Sequence, residues 1–383
     1  MSDLAIKVGK LVSARKSLDN AVISVENGKV TGIKRSTEPI NGLDYSNLIA
    51  LPGFIDVHTH GHYGFDAESS KDSEILEWAG RLPETGVTSF IPTLVSLPLP
   101  SIYKQFDRYR SIMGKSGDFG ARILGIRCEG PYLSREKKGA HNERYLRVPS
   151  TNELQEFFTK GKGVLRIIDM ALEISSMENV LAIAKKFGVQ VSLGHSNAPY
   201  WIASRALESG VSLLTHFYNA MSPLNHHDVG VVGAGFLSRT AYIELIADLH
   251  HVSREAIDIL VRMRGIRSLI LITDSLSIGD SDVHEGNLGG LKINEHDGVA
   301  WIDGTNTIAG SVLTMNRAVK NMVTLGYGLD ELAYALSYNQ SRFLGIAGLG
   351  AISEGSFADI CFLDDKLNVV STMINGKIVY SNY

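Results

Sequence analysis

Pro52-Gly53-Phe54-Ile55-Asp56-Val57-His58-Thr59-His60 is an apolar run that ends in two histidines one residue apart. Side chains alternate faces along a strand, so His58 and His60 point the same way and bring two imidazoles together at the strand's end. A metal ion explains such a pair. Two solvated loop histidines would carry the same letters, so the reading turns on what the other strand-like runs end in.

Working outward, eight such runs occur, over 50–58, 87–95, 121–129, 164–172, 189–195, 211–217, 241–248 and 268–274, each closing on polar or glycine-rich residues. Helical patterns fill the gaps. Ile75, Trp78, Ala79 and Leu82 keep the i, i+3, i+4, i+7 stripe, as do Val180, Ile183, Ala184 and Phe187 before Gly188, and Ser175-Ser176-Met177-Glu178 reads as a capping box. Eight strand–helix units predict an α/β chain folded as a (β/α)8 TIM-type barrel, since a doubly wound sheet usually has fewer strands. No segment recurs at a fixed period, which argues against a solenoid.

The two ends of the chain share a different device. Val22–Glu26, Asn27-Gly28 and Lys29–Ile33 read as a hairpin, and Thr372–Ile374, Asn375-Gly376 and Lys377–Tyr380 repeat it. Chain ends often lie close in space, so a small β-sandwich domain built from 1–50 plus 350–383 is expected beside a barrel domain over 51–349. The 383 residues suffice for two such cores, and a net charge of −4 leaves no footprint for nucleic acid. Cys128 and Cys361 are too few for a disulfide framework, the first residues lack a signal pattern, and no apolar stretch is long enough for a bilayer. A cytoplasmic protein with no membrane partner is the expectation.

In a barrel of this kind chemistry sits at the C-terminal ends of the strands. Run 1 ends in His58 and His60, run 3 in Cys128-Glu129-Gly130-Pro131, run 5 in Gly194-His195-Ser196, run 6 in Thr215-His216 and run 8 in Thr273-Asp274. Five strand ends thus supply imidazoles and carboxylates, the donor set of a hydrolytic metal site. Zinc is the first expectation, with iron or manganese suited to the same donors. If Glu129 faces the barrel mouth, Cys128 faces outward and packs as a small core residue.

These motifs resemble the amidohydrolase superfamily. More narrowly, Glu129-Gly130-Pro131-Tyr132-Leu133, Lys138-Gly139-Ala140-His141-Asn142, Gly194–Ala198, Thr215–Met221, Ile246-Ala247-Asp248 with His251, and Ile308-Ala309-Gly310-Ser311 resemble the N-acetylglucosamine-6-phosphate deacetylases. The resemblance spans nearly the whole chain. It implies hydrolysis of the N-acetyl amide of an amino-sugar phosphate, releasing acetate and the free amine. It implies a metal site of Glu129, His195 and His216, and the retained His58 and His60 add room for a second divalent ion bridged through Glu129. Asp274 is implied as the proton shuttle. Ala140, His141, Asn219, Ala220, His227, His251, Ile308, Ala309 and Gly310 are implied at the substrate, with His141 also able to polarise the amide carbonyl. A homodimer is implied too.

The match breaks where the family usually carries an arginine for the 6-phosphate, because His227 stands there. That keeps a related amino sugar open as substrate, such as N-acetylgalactosamine-6-phosphate or an unphosphorylated amine. Asn339-Gln340-Ser341-Arg342 also departs from the family's usual Asn-Pro-Ala-Arg, a change expected at a helix entry. A barrel that has lost catalysis and serves as a scaffold would be expected to have shed its ligands, and none is missing.

Overall fold

The computed structural model describes residues 4–117 and 119–383. Eight parallel strands run in chain order around a barrel: Phe54–Thr59, Val87–Leu94, Ile126–Glu129, Leu165–Met170, Gln190–Leu193, Leu213–Leu214, Tyr242–Ile246 and Leu269–Ile272. They are numbered here 1 to 8. Seven lie inside the run expected for them, and the first overruns 50–58 by one residue, Thr59. The seam between strands 1 and 8 is closed at its C-terminal end, where Thr59 bridges Ser275 and the Asp274 amide donates to the His58 carbonyl at 2.8 Å. The protein is therefore a (β/α)8 barrel with helices packed outside.

The expected helices form around the expected stripes. Asp72–Arg81 buries Ile75, Trp78 and Ala79, while Met177–Phe187 buries Val180 and Ala184 and ends on Gly188 at φ 69°. The capping box does not form. Ser176 is the N-cap, without a side-chain hydrogen bond, so Glu178 stands one residue too early to reach back. Gln340 is fully buried inside helix Asn339–Leu344, and its amide donates to the Ala335 carbonyl at 2.6 Å. Together with Asn339, whose amide reaches Leu269 O at 2.7 Å, it braces strand 8.

Strands from both ends of the chain make one seven-stranded sheet. Leu4–Ser13 pairs in parallel with Leu43–Pro52, which pairs with Ile360–Leu363 from the other end. The sheet wraps its own core of Ile6, Val8, Ile23, Tyr45, Ile360 and Phe362 as a small β-sandwich. Both Asn-Gly turns form with positive φ at both residues, and they touch: a Cβ on Gly376 would lie 3.2 Å from the Gly28 Cα. Arg122 of the barrel pairs with Asp359 of this sheet. Among the described residues no helix is long and apolar enough to cross a membrane.

Candidate active site

The strand ends converge on Glu129. Its Oε1 lies 3.0 Å from His195 Nε2, 2.9 Å from His216 Nε2 and 3.6 Å from His58 Nε2. Its Oε2 lies 3.2 Å from both His60 Nε2 and His141 Nε2. Asp274 Oδ1 stands 3.4 Å from His58 Nε2 and 3.2 Å from His60 Nε2. All seven residues are buried. His195, His216 and Asp274 have φ of 47°, 28° and 51°, a left-handed backbone that costs a non-glycine residue of order 1–3 kcal/mol. The strand ends carry that strain at the residues that turn into the mouth.

The other ring nitrogens show where the protons are. His60 Nδ1 donates to Thr93 O at 3.0 Å, His195 Nδ1 to Lys137 O at 2.7 Å, and His58 Nδ1 to Glu244 Oε2 at 3.3 Å. Each neutral ring therefore turns a lone pair inward through Nε2. Lone pairs facing carboxylate oxygens repel unless a proton or a metal ion lies between them. His58 Nε2 and Asp274 Oδ1 are buried without a hydrogen-bond partner, and His195 and His216 bring their Nε2 atoms within 3.0 Å. Buried atoms of this donor set without a partner are the ones a cation would satisfy, so the residues fit a divalent metal.

His141 differs. The Ser96 amide donates to its Nδ1 at 3.3 Å, so the neutral ring carries its proton on Nε2 and is a donor there. Burial pushes its pKa down to about 4, keeping it neutral at pH 7. Glu129 is held well below the usual carboxylate range, because His141 and His58 outweigh the burial that opposes its charge. Burial likewise opposes a second proton on His60, yet Asp274 and Glu129 raise it to about 9. The field that holds that proton would draw in a metal ion.

Above this cluster opens a cavity of about 370 Å³. It is lined by His60, Glu129, His195, His216, Asp274, Ala140, His141, Asn219, Ala220, His251, Ile308 and Gly310 among the residues singled out from the sequence. His58 lies beneath it, fully buried. Ala309 is buried in a small core under the strands 285–302, one residue off the wall. His227 stands in an exposed loop and is not among the lining residues. His251 Nδ1 bonds Asp248 Oδ2 at 2.6 Å, which fixes the ring beside the cavity.

Sequence reasoning missed Glu244, Arg127 and Asp169, which lie buried under the cluster. A signal was there: strand periodicity puts Arg127 on the same face as Glu129, and an arginine in an apolar strand needs partners. Cys128, between them, is buried in the apolar core as expected. Lys137 also lines the cavity and was not singled out.

Comparison with known proteins gives the family. The model of the amidohydrolase family matches residues 49–379. An N-acetylglucosamine-6-phosphate deacetylase of Bos taurus is 34% identical over 352 residues, covering 88% of this chain and 85% of that protein. An N-acetylgalactosamine-6-phosphate deacetylase of Escherichia coli O157:H7 is 30% identical over 375 residues, covering 97% and 98%. The N-acetyl-D-glucosamine-6-phosphate deacetylase of Mycobacterium smegmatis, solved as a mutant in complex with N-acetyl-D-glucosamine-6-phosphate, superposes with a TM-score of 0.93 at 26% identity, covering 100% of both chains. A family match over most of the chain, full-length relatives and a shared fold make this chain an enzyme of the amidohydrolase family that acts on an amide, and within that family it belongs with the N-acetylglucosamine-6-phosphate deacetylases.

Proposed function

We propose that the protein hydrolyses the N-acetyl group of N-acetylglucosamine-6-phosphate, giving glucosamine-6-phosphate and acetate. The observation that carries the reading is the pairing of inward lone pairs on His58, His60 and His195 with an outward proton on His141, all within reach of Glu129. His58, His60 and Asp274 would hold one divalent ion, His195 and His216 a second, with Glu129 between them. Zinc suits these donors first, and iron or manganese also fits. Such an ion lowers the pKa of water and polarises a carbonyl. The chain's own groups supply the rest. Asp274, on the cavity floor, takes the proton from the attacking water and delivers it to the departing nitrogen. His141 Nε2–H donates to the amide oxygen as charge builds there. His251 and the main-chain amide of Ala220 hold the sugar and its phosphate, while the Asn219 amide donates to the His216 carbonyl at 3.0 Å and shapes the wall with Ile308, Gly310 and Ala140.

The phosphate end is where the substrate is decided. His227 lies outside its own cavity, and exposed Leu224, Trp201 and Leu237 sit on the same loop and adjoining helices. This supports a homodimer in which His227 serves the partner's cavity. The second reading, an N-acetylgalactosamine-6-phosphate deacetylase, is favoured by His227 and by the Escherichia coli O157:H7 relative of nearly full length. The test is kcat/KM for the two sugar phosphates and for N-acetylglucosamine. Two charge-assisted contacts of about 1.5–3 kcal/mol each correspond to a ratio of order 10²–10⁴ for the phosphorylated over the plain sugar. A ratio near one would sink the phosphate reading, and faster turnover of the galacto sugar would replace the first substrate with the second.

A further inference from the structure

Under the candidate site lies an ion network whose three side chains are fully buried. Arg127 on strand 3 is fully buried between Asp169 on strand 4 and Glu244 on strand 7. Its Nε and Nη2 each lie 2.7 Å from an Asp169 oxygen, and its Nη1 and Nη2 reach the two oxygens of Glu244. One guanidinium between two carboxylates leaves a single net negative charge with no exposure. A buried charge of that kind is costly unless a cation stands near. The neighbour on the open side of Glu244 is His58. Glu244 Oε2 accepts from His58 Nδ1 at 3.3 Å and from the main-chain amide of His216 at 3.1 Å. One carboxylate therefore reaches a residue from each side of Glu129.

We propose that Glu244, locked by Arg127, is the positioning residue that fixes the tautomer and direction of His58 and supplies the negative charge behind it. The carboxylate keeps the ring's proton on Nδ1, leaving Nε2 a lone pair aimed at Asp274 and Glu129. It cannot swing away, because both of its oxygens are held by the guanidinium. Asp169 performs the matching duty for Arg127, and Thr215 Oγ1 caps Asp169 Oδ1. Partners of this sort, one bond behind a ligand, typically change metal affinity 10- to 100-fold. The inference rests on the reading of His58 as a metal ligand.

The experiment separates the two. Zn²⁺ and Co²⁺ binding to metal-free full-length protein is measured by competition with a chromophoric chelator for wild type, Glu244→Gln and His58→Asn, with melting curves of the metal-free forms alongside. Glutamine keeps an oxygen at the Oε2 position, accepting from His58, the His216 amide and Arg127 Nη2, and removes the charge, but it turns an NH2 donor toward the Arg127 Nη1 donor, and the melting curves read what that costs the fold. The expected result is that E244Q binds one ion 10- to 100-fold more weakly, that H58N weakens the same ion, and that the other ion is unchanged. Should E244Q not fold, Glu244→Asp keeps the charge on Arg127 while drawing back from His58, and the same weakening is expected. A wild-type binding curve with only a lowered melting point would make Glu244 merely structural and overturn the inference. If H58N binds both ions as wild type does, His58 is no ligand, and that reading fails together with this one.

Discussion

At the scale of single residues, two histidines that look alike as letters differ by one proton. His195 gives its Nδ1 proton to a carbonyl and turns a lone pair inward, whereas His141 accepts a main-chain amide at Nδ1 and turns a proton inward. In the proposed function the distinction assigns His141 to the substrate and His195 to the metal, although their rings are 4.5 Å apart, centroid to centroid. His141→Gln should lower kcat on the order of 10²- to 10³-fold, the loss typical of one donor to a developing oxyanion, and leave metal content unchanged. Elemental analysis beside the kinetics checks it, and loss of an ion would mean that His141 ligates after all. The spacing of His58 and His60 was readable because strand periodicity is local. The tautomer of His141 was not, since it depends on Ser96, 45 residues away, across a loop whose path no pattern predicts.

At the scale of elements, the strand ends and hairpin turns were legible and their couplings were not. Asn27-Gly28 and Asn375-Gly376 each announce a type I′ turn, but that the two turns pack together follows from strand order. Gly376 has φ 73°, and a Cβ there would meet Val25 Cγ1 at 2.8 Å. Gly188 has φ 69° with nothing within 4 Å. Gly376→Ala should therefore cost more than the ~1–2 kcal/mol left-handed penalty expected of Gly188→Ala, with kcat unchanged in both, as chemical denaturation and assay would show. Equal losses would mean that the contact between the turns relaxes freely. Glu68 offers a second coupling, for its Oε1 accepts the Val95 amide at 2.7 Å just past strand 2. Burial, with Asp66 nearby, raises this carboxyl to about 8. The folded state then holds a proton that the unfolded chain releases above about 4.5, so the stability it lends is full below that pH and lost as pH rises through about 8. Glu68→Gln keeps the acceptor and removes the titration. The melting point of wild type should fall relative to E68Q between pH 5 and 9, and a constant gap would show that Glu68 titrates normally.

At the scale of the whole molecule, the candidate metal cluster sits on the barrel's seam. Eight runs of the right kind made the barrel readable, because each strand, buried on both faces, keeps its apolar character whatever its neighbours. Closure was beyond reach, since it depends on how strands 1 and 8 meet. They meet through few main-chain contacts, the Thr59–Ser275 bridge and the Asp274 amide on the His58 carbonyl. The side chains on either side of that seam are His58 and His60 facing Asp274, with lone pairs that repel unless a proton or a metal ion joins them. A metal ion held there is a staple across the seam as well as part of the chemistry, and ligand binding to the folded state stabilises by RT ln(1 + [L]/Kd), about 2.7 kcal/mol at a hundredfold excess over Kd. Chelation should therefore lower the melting temperature, and the loss should start at the seam. Hydrogen exchange of the Asp274 amide is expected to accelerate on metal removal before that of the Met170 and Leu193 region, where strands 4 and 5 pair in register without any ligand between them. Uniform acceleration would point to global loosening, and an Asp274 amide indifferent to chelation would place the ion away from the seam.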